Sequence, residues 1–331
     1  LARRKQLEKM QKISSIDFRK ALQRIEKHIV KTPLIDFESG NPKIKLKLKL
    51  ECLQKTNSFK ARGAINHILQ LNDKQKKKGV VSTSSGNHGK AVSWAAKKYS
   101  VPAVICMEEK AYKNKIKACR DFGAKVFLGS SRKEAEDECA KLVSQGLTLI
   151  HPYSSARTIE GAGTIGLEIA EQWPEVDVVC VASGGGGSIS GISLALKRTL
   201  GSKIKILGVE PKGSPNLTKG LEVGHEYFLK RIETEIQGLC PLSTGNINVE
   251  ICRKNVEKIL LLNDRAIFKA QKKLIENTDW IVEPAGAAAA APVLNGLFPE
   301  SWTKNKKELN VVAIVSGGNA DESQIKNLQT L

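Results

Sequence analysis

Apolar and polar positions repeat with two different periods along this chain, and the switches between them mark out its elements. Ile16, Phe18, Ala21, Leu22, Ile25 and Ile29 recur at three-to-four spacing, which predicts helix within the first thirty residues. Thr32-Pro33 ends it, because the residue before a proline is pushed out of helical geometry. Lys43-Ile44-Lys45-Leu46-Lys47-Leu48-Lys49-Leu50-Glu51 repeats every two residues and predicts a strand with one buried face. The helical period returns from Lys60 to Leu71.

From Gly79 the two patterns alternate. Strands are predicted at Val80–Thr83, Ala103–Met107, Lys125–Leu128 and Leu147–Ile150, with helices at Lys90–Tyr99, Asn114–Phe122 and Arg132–Gln145 between them. That rhythm predicts a small parallel sheet flanked by helices. A second set follows, with helices at Gly163–Gln172, Ser188–Arg198 and Arg265–Asn277. Its strands fall at Val178–Ala182, Ile204–Glu210 and Val311–Val315. Valine-rich runs without polar interruption are what strands buried on both faces require. The fold class is therefore α/β, with two doubly wound parallel-sheet domains, and the amino-terminal segment is expected to pack on the second. A length of 331 residues fits two cores. The chain ends soon after its last strand, so no carboxy-terminal regulatory domain is expected.

Composition narrows the function classes. Hydrophobic residues make up 41% of the chain, enough for sizeable cores. No apolar run approaches the roughly 18 residues that would span a bilayer, and Leu1-Ala2-Arg3-Arg4-Lys5 does not open a secretory signal. Seven cysteines without a Cys-x-x-Cys pair indicate neither a zinc ribbon nor a disulfide framework. A reducing, cytoplasmic setting is expected. The net charge of +19 raises the question of nucleic acid. Its lysines are dispersed in short groups, however, and aromatics at 5% are too few for a base-stacking platform. A solvated lysine surface accounts for the charge, and no nucleic-acid partner is expected.

Four loops carry candidate chemistry. Ser58-Phe59-Lys60-Ala61-Arg62-Gly63-Ala64 sets a lysine beside an aromatic wall, where lost solvation lowers its pKa and frees the amine for nucleophilic or proton-transfer work. An exposed lysine at a helix start is the plain alternative. Ser84-Ser85-Gly86-Asn87-His88 falls at a strand-to-helix turn, which aims backbone N–H groups at an anion such as a carboxylate. An ordinary helix cap would use the same residues. Gly184-Gly185-Gly186-Gly187-Ser188 lies between a strand and a helix, the arrangement that cradles phosphate, although a tight turn binding nothing has the same composition. It is neither a dinucleotide fingerprint nor a Walker loop. Ser316-Gly317-Gly318-Asn319 follows the last buried strand.

Together the four loops resemble the cofactor-contacting elements of the fold-type II pyridoxal-phosphate enzymes, and most of all the serine/threonine dehydratase and serine racemase family. The family pattern Glu-x-x-Gln-x-x-x-Ser-Phe-Lys-x-Arg-Gly-Ala is filled by Glu51, Gln54, Ser58, Phe59, Lys60, Arg62, Gly63 and Ala64. The resemblance runs in motif order from about residue 15 to 325. It implies a discontinuous cofactor-binding domain of residues 1–72 and 153–331, and a smaller substrate-closing domain of residues 73–152. It makes Lys60 the lysine that carries the cofactor as a Schiff base and Gly184–Gly187 the phosphate loop, with Phe59 and Ser188 beside them. Asn87 then faces the cofactor's phenolate oxygen, Ser316 its pyridine nitrogen, and Glu283 the ring. Ser84, Ser85, Gly86, Asn87 and His88 receive the substrate carboxylate. A neutral hydroxyl at the pyridine nitrogen withdraws electrons mildly, which suits elimination of a β-substituent.

Some positions depart from the family. Ser188 replaces a commonly apolar residue, and Gly161-Ala162-Gly163 lacks the usual glutamine between its glycines. The wording around Gly238–Leu242 also differs. Glu210, Ser214 and Asn216 fall where some relatives hold magnesium or calcium through oxygen ligands, but Asn216 removes one formal charge from that set. The resemblance implies elimination of water from L-threonine or L-serine, a small hydroxy amino acid, by a homodimer or higher homo-oligomer. Ser85 stands where the racemases place a second acid–base group opposite the lysine, so conversion of L-serine to D-serine is the alternative. A basic nucleic-acid-binding protein on a retired enzyme fold is a third reading, and the intact lysine, asparagine and serine elements oppose it.

Overall fold

Strand pairing sorts the chain into two sheets. In this computed structural model, which describes residues 13–304, 306–326 and 328, there are ten strands among the described residues. In chain order they are β1 (Leu34–Phe37), β2 (Ile44–Lys49), β3 (Val80–Thr83), β4 (Ala103–Glu108), β5 (Lys125–Gly129), β6 (Thr148–Leu149), β7 (Val178–Ala182), β8 (Lys205–Pro211), β9 (Lys258–Leu262) and β10 (Leu309–Ile314). The larger sheet runs β1-β2-β10-β7-β8-β9 and the smaller β5-β4-β3-β6. Only the β1–β2 pairing is antiparallel, with Leu34 opposite Lys49. The valine-rich β7 sits inside the larger sheet and is buried at all five positions, as its composition requires.

Several elements differ from the sequence expectation. β1 and β9 were not anticipated. The helix expected from Gly163 begins earlier and runs Ala156–Gln172. Its glycines look like breakers in the sequence, but here they allow close packing. A side chain at Gly161 would lie 2.5 Å from the Arg62 carbonyl oxygen, in the helix Lys60–Ile68. One at Gly191, in the helix Gly187–Leu200, would lie 2.7 Å from the Gly163 nitrogen. Three helices therefore meet backbone against backbone, with Ala156–Gln172 in the middle.

The helix expected near the amino terminus is Phe18–Ile25 in its described part, with Asp17 accepting from the Lys20 N–H at 3.0 Å. Residues 1–12, including the basic Arg3-Arg4-Lys5, lie outside the described residues. Phe18 packs with Ile159, Leu194 and Ile251 on the larger sheet's side, as expected for this segment. Ile25 instead joins Ala64, Ile65 and Ile68 in the cluster that contains Val80 and Ile105 of the smaller sheet. The helix Lys60–Ile68 thus packs on both sides.

Along β2 the apolar positions are buried, but so is Lys49, against the simple two-residue alternation. Its amine donates to Glu168 Oε2 at 2.6 Å, Gln172 Oε1 at 2.8 Å and the Thr32 carbonyl at 2.8 Å. Arg62 joins the cluster. It donates to Glu51 at 2.8 and 2.7 Å and to Glu168 at 2.6 and 2.9 Å. Two cations and two anions, none more than 3% exposed at the side chain, compensate one another directly behind Lys60.

Candidate active site

Lys60 opens its helix after a strained turn. Thr56 and Asn57 hold positive φ values of 63° and 56°, uncommon for residues with a side chain. The turn is fixed by the loop after β10. Phe59 N–H donates to the Ser316 carbonyl at 3.1 Å, Gly318 N–H donates to the Asn57 carbonyl at 2.9 Å, and Ser58 bridges Gly317. Lys60 and Ser316, distant in sequence, are thereby set side by side. The Lys60 amine donates to the Pro152 carbonyl at 2.8 Å and lies 5.0 Å from the Phe59 ring centroid. Burial without a compensating carboxylate lowers its pKa to about 8.

The glycine loop follows β7. Gly186 adopts the left-handed conformation at φ +89°, and the helix Gly187–Leu200 begins with no side-chain cap. Its first N–H groups have no partner within the helix and carry the positive end of the dipole. Ser188 Oγ donates back to the Ala182 carbonyl at 3.3 Å. A small cavity is lined by Phe59, Lys60, Pro152, Gly187 and Ser188, so the amine and the loop face one space.

At the third loop, Ser84 Oγ accepts from Gly86 N–H at 3.3 Å and Gly89 N–H at 3.1 Å, which holds the turn. Asn87 opens the helix Asn87–Lys98. His88 is buried and its Nε2 pairs with the Ile150 carbonyl at 2.9 Å. Burial, with the nearby Lys60 charge, pushes its pKa well down, and the same causes take His151 to about 4. Both imidazoles are therefore neutral at physiological pH. Ser85 is the exposed member of the turn.

Asn87 Nδ2 donates to Glu283 Oε1, and Asn87 Oδ1 accepts from Asn319 Nδ2 at 2.9 Å. Ser316 Oγ donates to the Ala285 carbonyl at 3.3 Å. The structure thus gathers Asn87, Glu283 and the Ser316–Asn319 loop beside Lys60. It adds a residue the sequence reading missed. Lys115, buried, donates to the Asn319 carbonyl and lies 3.4 Å from both Glu283 Oε2 and Asn87 Oδ1. A signal existed, because Lys115 lies one helical turn before the buried Cys119, on the same helix face.

The side chains of Glu210, Ser214 and Asn216 are each engaged by neighbouring protein groups. Glu210 accepts from Leu217 N–H at 2.9 Å, Thr218 N–H at 2.9 Å and Thr218 Oγ1 at 2.6 Å, capping the following helix. Burial still raises its pKa to about 7. Asn216 Nδ2 and Ser214 Oγ turn instead to the Pro241 carbonyl. Among the described residues no group of three or more His, Cys, Asp or Glu side chains is placed to hold a metal ion.

Known proteins are similar to this chain along most of its length. The family model described as pyridoxal-phosphate dependent enzyme matches residues 25–317. An L-threonine ammonia-lyase of Thermotoga maritima is 36% identical over 314 residues, covering 93% of this chain and 76% of that protein. A serine racemase of Arabidopsis thaliana is 37% identical over 310 residues, covering 92% and 93%. The solved structure of maize serine racemase aligns with a TM-score of 0.87 at 34% identity, covering 95% of each chain.

Proposed function

The chain belongs to the pyridoxal-phosphate dependent enzymes, and from that premise we propose that it is a threonine/serine ammonia-lyase. It takes L-threonine or L-serine to 2-oxobutanoate or pyruvate plus ammonia. The observation that carries this reading is the Lys60 amine, lowered to about 8 and facing the same small cavity as the glycine loop.

The residues present fit the cofactor. The uncapped helix start after Gly186 suits its phosphate, the Lys60 amine its aldehyde, Asn87 its phenolate oxygen and Ser316 its ring nitrogen. When bound, pyridoxal phosphate supplies an aldehyde that condenses with amines and a ring that acidifies the substrate α-C–H. A lysine at about 8 keeps roughly a tenth of its amine neutral at pH 7, where an ordinary lysine keeps well under a thousandth. Lys60 can therefore accept the α-proton, with the Pro152 carbonyl orienting its nitrogen. The first N–H groups of the helix Asn87–Lys98 receive the substrate carboxylate, and the neutral His88 and His151 leave that role to the turn. The β-hydroxyl leaves as water, and hydrolysis then returns a water to release ammonia. A pocket distinguishes one methylene by only about 1–3 kcal/mol, so both amino acids are expected to react.

A second reading, serine racemase, rests on Ser85. Its exposed hydroxyl stands at the tip of the carboxylate turn, away from the bonds that hold Ser84 and His88. If Ser85 exchanges a proton with the α-carbon, Ser85→Ala abolishes D-serine formation and α-deuteration while sparing elimination. Equal loss in both reactions limits Ser85 to carboxylate binding.

The same reading divides the chain into a larger unit of residues 1–72 and 153–331 and a smaller one of residues 73–152. The two sheets support that division, although Lys60–Ile68 belongs to both cores. It also takes the protein to be a cytoplasmic homo-oligomer with free cysteines, to be checked by light scattering. No described helix is long and apolar enough to cross a membrane. The deciding assay is 2-oxo acid release from L-threonine, L-serine and related hydroxy amino acids by the holoenzyme. Borohydride reduction followed by peptide mapping should mark Lys60. Silence across the panel, or a mark on another lysine, refutes the proposal.

A further inference from the structure

The glycine loop owes its lack of side chains to a neighbour as much as to any anion. A Cβ at Gly185 would overlap the ring of Tyr153 at Cγ and Cδ1. One at Gly187 would come within 2.8 Å of Tyr153 Cα and 2.9 Å of its Cβ. The aromatic ring occupies the face that Gly185 leaves open, and the Tyr153 backbone occupies the face left by Gly187.

Tyr153 is itself held from several directions. Its N–H donates to His151 Nδ1 at 3.3 Å, and the two rings meet edge to face with centroids 4.6 Å apart. Asn248 Nδ2 donates to the Tyr153 carbonyl at 3.3 Å and to the Gly185 carbonyl at 2.6 Å, tying the tyrosine to the loop it covers. Thr244 Oγ1 donates to the same Gly185 carbonyl at 3.0 Å. The residue before Tyr153 supplies the carbonyl that receives the Lys60 amine. Two consecutive residues thus touch the two ends of the candidate site.

We propose that Tyr153 is a positioning residue that shapes the glycine loop for phosphate, its ring packing on Gly185 so that the loop N–H groups converge. The inference rests on the assignment of Gly184–Gly187 as the phosphate loop. Aromatic packing fixes the loop backbone before any anion arrives, so the ordering cost of binding is already met. In this proposal the ring acts by packing, and the hydroxyl takes no part in holding phosphate.

The test compares two ligands that differ only in phosphate. Binding of pyridoxal phosphate and of pyridoxal to the cofactor-free protein is followed by fluorescence. In the wild type, pyridoxal phosphate should bind far more tightly than pyridoxal. A wild type without that preference refutes the phosphate-loop assignment itself. Given the preference, Tyr153→Ala should weaken pyridoxal phosphate at least tenfold and leave pyridoxal within twofold. Tyr153→Phe should retain the wild-type ratio. Should the alanine variant fail to fold, Tyr153→Leu carries the same expectation with less lost volume. An unchanged ratio in Tyr153→Ala or Tyr153→Leu overturns the inference, as does an equal loss for both ligands, which marks general damage. Loss of the ratio in Tyr153→Phe also overturns it, because the hydroxyl would then be the acting group.

Discussion

Lys49 and Lys60 have both given up much of their water, and their surroundings make them different reagents. Lys49 is fully buried and bonded to Glu168, with Glu51 and Arg62 completing a balanced set of four charges. Burial pulls its pKa down while Glu168 and Glu51 pull it back up. Lys60, at the opening of the neighbouring helix, has a carbonyl and an aromatic face but no carboxylate partner, and it falls to about 8. Burial alone therefore does not make a reactive lysine. Burial without a counter-charge does, and the Lys49 cluster lends rigidity to the segment where Lys60 is left uncompensated.

The comparison breaks most visibly at Lys60. Lys60→Ala should lower 2-oxo acid release by at least about 10³-fold if, as proposed, the amine serves both cofactor attachment and proton transfer. Lys49→Met should instead cost stability, about 3–5 kcal/mol, because it strands a buried carboxylate. Urea unfolding measures it, and Lys49→Met/Glu168→Gln should regain part of the loss. The folded fraction of either variant should keep kcat/KM within about threefold if Lys49 acts through packing alone.

A smaller effect sharpens the contrast through pH. The folded pKa of Lys60 lies below its unfolded value, so the protonated amine penalises folding fully below about pH 8. That penalty disappears as pH rises toward the unfolded value. Cofactor-free Lys60→Met should thus be more stable than wild type by roughly 1–3 kcal/mol at pH 7, with the gap closing above about pH 10. Unfolding curves at both pH values would show it. An effect of similar size concerns Glu210, the acid counterpart of an uncompensated group. Its folded pKa is raised to about 7, so wild-type stability should fall as pH rises from about 4.5 through 7. Glu210→Gln should remove that fall, roughly 1–3 kcal/mol across the interval, read from thermal midpoints at several pH values.

Much of the site was legible because its chemistry is local. The Ser58–Ala64 frame and the three other loops each carry their signal within a few residues, and the structure brings all four together. What was not legible depends on partners far along the chain. Lys115 is defined by Asn87, Glu283 and Asn319, and nothing in its lysine-rich surroundings names them. Lys49 falls on the polar side of a two-residue alternation, and only the arrival of Glu168 and Gln172 makes its burial tolerable. Tyr153 gives no local sign of the loop it covers. Among the elements, the early start of Ala156–Gln172 was hidden by glycines that serve packing, and the edge strands β1 and β9 lacked a clear period.

Those same packing glycines set a limit on what the enzyme can become. Lys60's helix rests on one flank of Ala156–Gln172 through Gly161, and the helix that follows the glycine loop rests on another through Gly191 and Gly163. Interaxial distances between helices ordinarily range over about 8–10 Å with side-chain size, and bare backbone contact lies at the short end. The separation of these two flanking helices is therefore set by a backbone spacer of nearly irreducible thickness, which adding a methyl at Gly161 or Gly191 can only widen. Such a change would move the helix that carries Lys60 or the helix that follows the glycine loop without altering either loop's own residues. Under the proposed function, variation in substrate size is then expected away from these helices, as in the exposed turn at Ser85, where the chain can change shape without moving them.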